Sequence, residues 1–164
     1  MSDYETAMRT MFLSATWLIA TAAVATPTSR LTAGLAAYAA HDFAGARRIF
    51  TALADDGSAI GETMLGTIYA RGQGVRRDPA AAAAYYFRAA NRGYAPAQLA
   101  FGRALARGEG LSIDRDEAAM WLHRATERGD ARVVAAARRD LAGLGDSDSG
   151  YDRGSWRPWP GAQD

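Results

Sequence analysis

The chain has 164 residues, a formal net charge of +1 and no cysteine. That length fits one domain with an ordinary core, and the balance of 19 basic against 18 acidic residues removes any bulk electrostatic case for nucleic acid, which calls for a strongly basic face. Without Cys there is no disulfide framework, thiolate nucleophile or thiolate-held zinc. All the basic residues are Arg, whose planar fork suits stacked and bidentate contacts.

Met11 to Ala25, "MFLSATWLIATAAVA", is an uncharged and mostly apolar run ending in Ala23-Val24-Ala25, the small-x-small pattern of a signal-peptidase site. It is shorter than the roughly 20 apolar residues of a membrane-spanning helix. Asp3 and Glu5 precede the only upstream basic residue, Arg9, whereas a secretory leader begins positive; initiation at Met8 gives a better leader. Residues 1–25 are therefore expected to be a cleaved signal, with the mature chain starting near Thr26 and exported to a bacterial periplasm. An uncleaved N-terminal anchor is the alternative, and membrane contact is expected only in that case.

Ser58–Gly93 aligned without gaps on Tyr94–Gly129 gives 13 identities in 36 positions, among them Gly66/Gly102, Gly72/Gly108, Gly74/Gly110, Asp78/Asp114 and Gly93/Gly129. Recurrence at fixed spacing points to architecture before any site. Each unit reads as helix, loop, helix, turn. The first helix, Ala59 to Arg71, carries Gly61, Leu65, Ile68 and Tyr69 on one stripe. Gly66 and Gly102 lie within that helix pattern, at a cost of about 1 kcal/mol each relative to Ala, and their recurrence predicts close approach of the partner helix. Asp78 reads as an N-cap with Pro79 in the first helical position, and Asp114 with Glu117 as a capping box. Upstream, "HDFAGARRIFTALADDG" repeats the second half of a unit, with Asp42 as cap and a first helix over 31–40. Downstream, residues 130–144 read as one closing helix. Three hairpins and a closing helix reach the number of units that repeat arrays usually need.

Leu65-Gly66, Tyr69, Gly72, Gly74-Val75, Asp78, Ala82, Tyr85-Tyr86, Ala89-Ala90 and Gly93 make a pattern that resembles the Sel1-like repeat, a relative of the tetratricopeptide repeat. Leu105 and Thr126 depart mildly from it in the second unit. The resemblance implies an all-α fold, an α/α superhelix or right-handed solenoid of helical hairpins over residues 26–144, with a tetratricopeptide-like hairpin at 31–57 and full units at 58–93 and 94–129. It further implies a protein-binding scaffold whose partner is another protein or peptide. Some cysteine-rich relatives have been described as β-lactamase-like, but they depend on paired cysteines, and an S-x-x-K nucleophile motif is impossible in a chain without Lys.

The two GxG triplets invite comparison with a phosphate loop. They follow a helix and precede a loop, whereas a dinucleotide fingerprint follows a strand and opens a helix, so they read as helix stops. His41 and His123 have no companion at ligand spacing. Asp114, Asp116 and Glu117 fit the first turn of a helix through capping and the macrodipole. "DSDSGYD", Asp146 to Asp152, departs from a calcium loop in its Gly position and in Arg157 at the twelfth place. No catalytic residue, metal ligand or cofactor is expected. Residues 145–164, rich in Gly, Ser, Pro and Asp, read as disordered, with docking of the aromatics Tyr151, Trp156 and Trp159 onto the array or a partner as the alternative. Arg71/Arg107, Arg88/Arg124 and Arg92/Arg128 recur at repeat spacing, as a solvated helix face or as basic rows for an acidic partner. Helical geometry and the family resemblance together place Thr63, Thr67, Leu99 and Arg103 opposite the apolar stripe, facing a partner-binding groove.

Overall fold

The computed structural model describes residues 27–144; the signal-like run and the segment after Leu144 lie outside the described residues. The described residues form seven helices and no strand: α1 Pro27–Ala39, α2 Phe43–Asp55, α3 Ala59–Arg71, α4 Pro79–Asn91, α5 Ala95–Arg107, α6 Arg115–Arg128 and α7 Ala131–Leu144. Each helix packs on the next in the chain, and α5 also reaches α7. The arrangement is an all-α solenoid of hairpins, the architecture expected for units that cannot bury an apolar face alone.

Local chemistry sets the helix boundaries. Asp42, Ser58, Asp78 and Asp114 each accept a hydrogen bond from the backbone N–H three residues on, at 2.9, 3.3, 2.9 and 2.8 Å, which satisfies one of the orphan donors of a helix start. The capping box at α6 is only half made. The Glu117 carboxylate turns away from the cap and accepts from the Trp121 indole N–H at 3.2 Å, because a buried Trp needs a partner for its donor. α1 begins at Pro27, earlier than the expected residue 31, and its loop to α2 turns on His41 at φ 62°, a left-handed position that His tolerates better than most residues.

The recurrent helix glycines mark close crossings. A Cβ on Gly66 would stand 2.6 Å from the Tyr86 ring, and one on Gly102 would stand 2.9 Å from the Leu122 side chain, so each hairpin closes on a missing side chain. The GxG triplets do more than end helices. Gly72 and Gly108 take the left-handed C-cap at φ 67°. The second glycine of each triplet then lies against the start of a preceding helix: Gly74 against Phe43 at the head of α2, and Gly110 against Pro79 and Ala80 at the head of α4. Each loop thus locks its hairpin onto the one before.

Between these contacts lies the core. Phe50, Leu53, Leu65 and Ile68 fill the first half, and Phe87, Phe101 and Trp121 meet in the second with ring centroids 5.2 to 6.1 Å apart. Tyr86 plugs the seam between α3 and α4 and donates its hydroxyl to Thr67 Oγ1 at 3.3 Å. Burial raises its phenol above the ordinary value of 10.0, since desolvation disfavours the phenolate. The folded value lies above the unfolded one, so the associated stability is complete below about pH 10 and is lost as pH rises through the folded value, where the unfolded chain has already released its proton. Tyr86→Phe should therefore flatten the fall in melting temperature above about pH 10 while costing about 1 kcal/mol at neutral pH for the lost bond; an unchanged alkaline slope would show that Tyr86 does not set it.

Candidate functional site

The residues expected to share a groove occupy equivalent places on two first helices, Thr63 and Thr67 on α3 and Leu99 and Arg103 on α5. The structure does not bring all four to one open surface. Thr63 and Thr67 turn their hydroxyls back onto the carbonyls of Ala59 and Thr63, at 2.7 and 3.0 Å. Leu99 is 8 % exposed and packs with Leu122, Ala125 and Ala137, with Val133 and Leu141 alongside. Arg103 donates from Nε to Asp140 on α7. The physical reason is the closing helix: α7 lies against α5 as well as α6, and covers the α5 face that helical geometry alone leaves open.

At the edge of that cover lies a cleft of about 270 Å³ between α5, α6 and α7, lined by Arg103, Arg107, Arg115 and Arg139 with Leu122 and Leu144. Among the described residues Asp140 is the only acid in its wall, and it is taken by Arg103. Arg107 stands 3.7 Å from Glu109, whereas Arg115 and Arg139 form no ion pair among the described residues. Such an arrangement can hold carboxylates or another planar anion through bidentate contacts. One unit earlier, the matching cleft is lined by Ala70, Arg77, Pro79, Ala82, Ala83, Tyr86, Ala104 and Glu109, and its volume is only about 10 Å³. There Tyr86 stands where the later cleft has Leu122, and Glu109 enters from the loop after α5. Of the expected residues, Arg103 alone reaches the open cleft. Arg107, Arg115 and Arg139 were not singled out as site residues by the sequence; Arg107 and Arg139 carried a signal through their repeat partners Arg71 and Arg103, while Arg115 stands opposite Pro79 in the repeat and carried none.

Three of the recurrent arginines, Arg88, Arg92 and Arg124, are engaged by the fold. Arg88 holds the fully buried Glu62 carboxylate at 2.8 Å and Arg92 holds it at 3.3 Å. Arg88 also lies over the Tyr85 ring, and Arg124 lies 4.9 Å from the centroid of Trp121, a favourable cation–π distance. In the second unit Gln98 replaces Glu62 and donates to the Ala90 carbonyl at 3.3 Å. These side chains are polar fasteners within and between hairpins. Among the described residues no group of three His, Cys, Asp or Glu side chains could hold a metal ion, and Asp114 and Glu117 are used by the cap and by Trp121.

Hairpins stacked through left-handed glycine loops, with an open basic cleft at the last seam, define a helical repeat scaffold. Two stretches, residues 59–94 and 95–130, each match the Sel1 repeat family. Residues 59–130 are thus two Sel1 repeats, and Sel1 repeats typically mediate protein–protein interaction. A Sel1 repeat protein from Oxalobacter formigenes is similar in structure at 24 % identity and a TM-score of 0.65, over 72 % of this chain and 47 % of that one. A protective antigen present in uropathogenic Escherichia coli strains, displaying an SLR fold, is similar at 23 % identity and a TM-score of 0.61, over 74 % of this chain and 31 % of that one. Cysteine rich protein B of Helicobacter pylori follows at 18 % identity and a TM-score of 0.53, over 66 % and 92 %. At these identities the likeness is one of fold, and the chain spans less than half the length of the first two. No curated protein matches the chain in sequence.

Proposed function

We propose that the chain is an exported, non-catalytic scaffold of the bacterial periplasm that binds another protein or peptide, with the arginine-lined cleft between α5, α6 and α7 as part of the contact. The observation that carries this reading is the contrast between the two equivalent clefts: the first is filled by the array itself, and the second is open and holds two arginines without ion pairs among the described residues. The absence of catalysis is supported by where the chemically capable residues are spent, since Glu62, Asp114 and Glu117 all serve packing or capping. Export is supported by the apolar run and its Ala-Val-Ala end. No helix among the described residues is long and apolar enough to cross a membrane.

The test is affinity capture of epitope-tagged protein from its native host, compared with an Arg139→Glu variant and combined with the intact mass of the recovered chain. Arg103→Glu is the poorer probe, because it would set a second carboxylate against Asp140 and loosen α7. Arg139 is exposed, so its variant should keep helicity and melting temperature nearly unchanged while the partner is lost. A complex unaffected by Arg139→Glu would remove the cleft from the contact, and a chain retaining residues before Thr26 would remove the cleaved leader.

A further inference from the structure

Resting on the reading of the cleft as a contact surface, we infer what the partner's contacting segment carries: side-chain carboxylates that pair with Arg115 and Arg139, and beside them an aromatic ring that fills the space over Leu122. The array supplies the template. Advancing the register by 36 residues carries Ala70 onto Ala106, Pro79 onto Arg115, Tyr86 onto Leu122 and Ala104 onto Asp140, so the two clefts are the same site in successive units. In the filled cleft two groups take up the space. Tyr86 sits on Gly66 and spans the seam to Thr67, and Glu109 enters the wall from the loop after α5, its carboxylate 3.7 Å from Arg107. A ring and a carboxylate are what this place in the repeat accepts.

Among the described residues the open cleft has neither. Leu122 sits on Gly102 as Tyr86 sits on Gly66, but it has no ring to carry across the seam to Arg103, the counterpart of Thr67. The one acid in the wall, Asp140, is taken by Arg103, while Arg115 and Arg139 are exposed and pair with no described acid. Planar guanidinium forks bind carboxylates in bidentate pairs, and a guanidinium also lies favourably over an aromatic ring. At about 270 Å³ the cleft takes a few side chains of a short segment and no bulkier surface. The cationic patch is short as well: Asp114 and Asp116 flank Arg115 in the chain, and Glu109 stands beside Arg107. A dense polyanion would run from the arginines onto these carboxylates, whereas isolated acidic side chains do not. The charge pattern therefore favours an acidic peptide that bears an aromatic residue over a nucleic acid or an envelope polymer.

An end-blocked peptide, Gly-Glu-Tyr-Glu-Gly, titrated into the full-length protein while its amide signals are followed tests the assignment. Shifts over the end of α5, the start of α6 and the end of α7 are expected, with binding weakened about tenfold when both Glu of the peptide become Gln and several-fold when its Tyr becomes Ala. An Arg115→Gln/Arg139→Gln variant should lose the shifts while its circular dichroism stays unchanged, since both side chains are exposed. Equal binding of the Gln peptide, shifts elsewhere on the array, or tighter binding of a linear polyphosphate at the same residues would overturn the assignment, and equal binding of the Ala peptide would remove the ring from it. Failure of the peptide to bind overturns it too, and is told apart from failure of the contact itself by the capture experiment: a native partner still lost in Arg139→Glu keeps the cleft as a contact with a different ligand chemistry.

Discussion

Gly110→Ala lowers the stability of the array by about 3–5 kcal/mol, more than alanine at either the first glycine of the same triplet or the matching glycine of the previous unit. A Cβ at Gly110 would stand 2.2 Å from the Pro79 carbonyl carbon and 2.4 Å from the Ala80 nitrogen. Those are backbone atoms at the head of a capped helix, and they cannot step aside without shifting α4 against α5. Left-handed strain at φ 84° adds to the clash. At Gly108 the nearest obstacle is the side chain of exposed Ile113 at 2.8 Å, which can rotate away, so Gly108→Ala costs little beyond the left-handed term of about 1–2 kcal/mol. Gly74 falls between, with the Phe43 Cβ at 2.9 Å. Urea melts of the three variants test the order. Equal losses at Gly108 and Gly110 would mean that the triplets act only as helix stops and do not lock successive hairpins.

The second large effect concerns Glu62, whose side chain is fully buried while Arg88 and Arg92 are each about half exposed. Removing both arginines leaves a carboxylate without a cation in the interior, and Arg88→Ala/Arg92→Ala should cost about 3–5 kcal/mol. Glu62→Gln should cost far less, because it leaves two partly solvated cations and installs the side chain that the second unit uses at Gln98. In a Glu62→Gln background the double arginine change should lose most of its effect, and that coupling is the measurement. An arginine cost that is the same in both backgrounds would show that the guanidinium stems act through packing alone.

Much of the fold was legible because repeats print their rules twice. The bounds of α3, the caps at Asp42, Asp78 and Asp114, Pro79 at the first helical position and the small residues at Gly66 and Gly102 follow from short-range chemistry: a side-chain oxygen reaching an N–H three residues on, a fixed proline φ, a missing Cβ. The half-made capping box went unread for the opposite reason. Glu117 has two suitors, and the choice between a cap N–H and the Trp121 indole depends on whether that indole is buried.

The candidate site was less legible. Helical geometry placed Thr63, Thr67, Leu99 and Arg103 on one face, but a face is open only if no later element covers it. The cover over Leu99 comes from Val133, Ala137 and Leu141, more than 30 residues downstream. Arg103, Arg107, Arg115 and Arg139 lie on three helices and form no motif, so their convergence appears only when α7 folds back on α5. The recurrent arginines mislead in the other direction: equal spacing suggested basic rows, yet Arg88 and Arg124 are held by Glu62 and by aromatic rings.

What the sequence by itself determined is the unit, its helices and stops and the register in which copies stack, since these rest on contacts within about 36 residues that local steric and hydrogen-bonding rules govern. What only the tertiary structure decided is which surfaces remain once the units are stacked. The two clefts are built from nearly the same places in the repeat, and among the described residues one is full while the other is open, because Leu122 stands where the first has Tyr86 and Glu109 enters only the first.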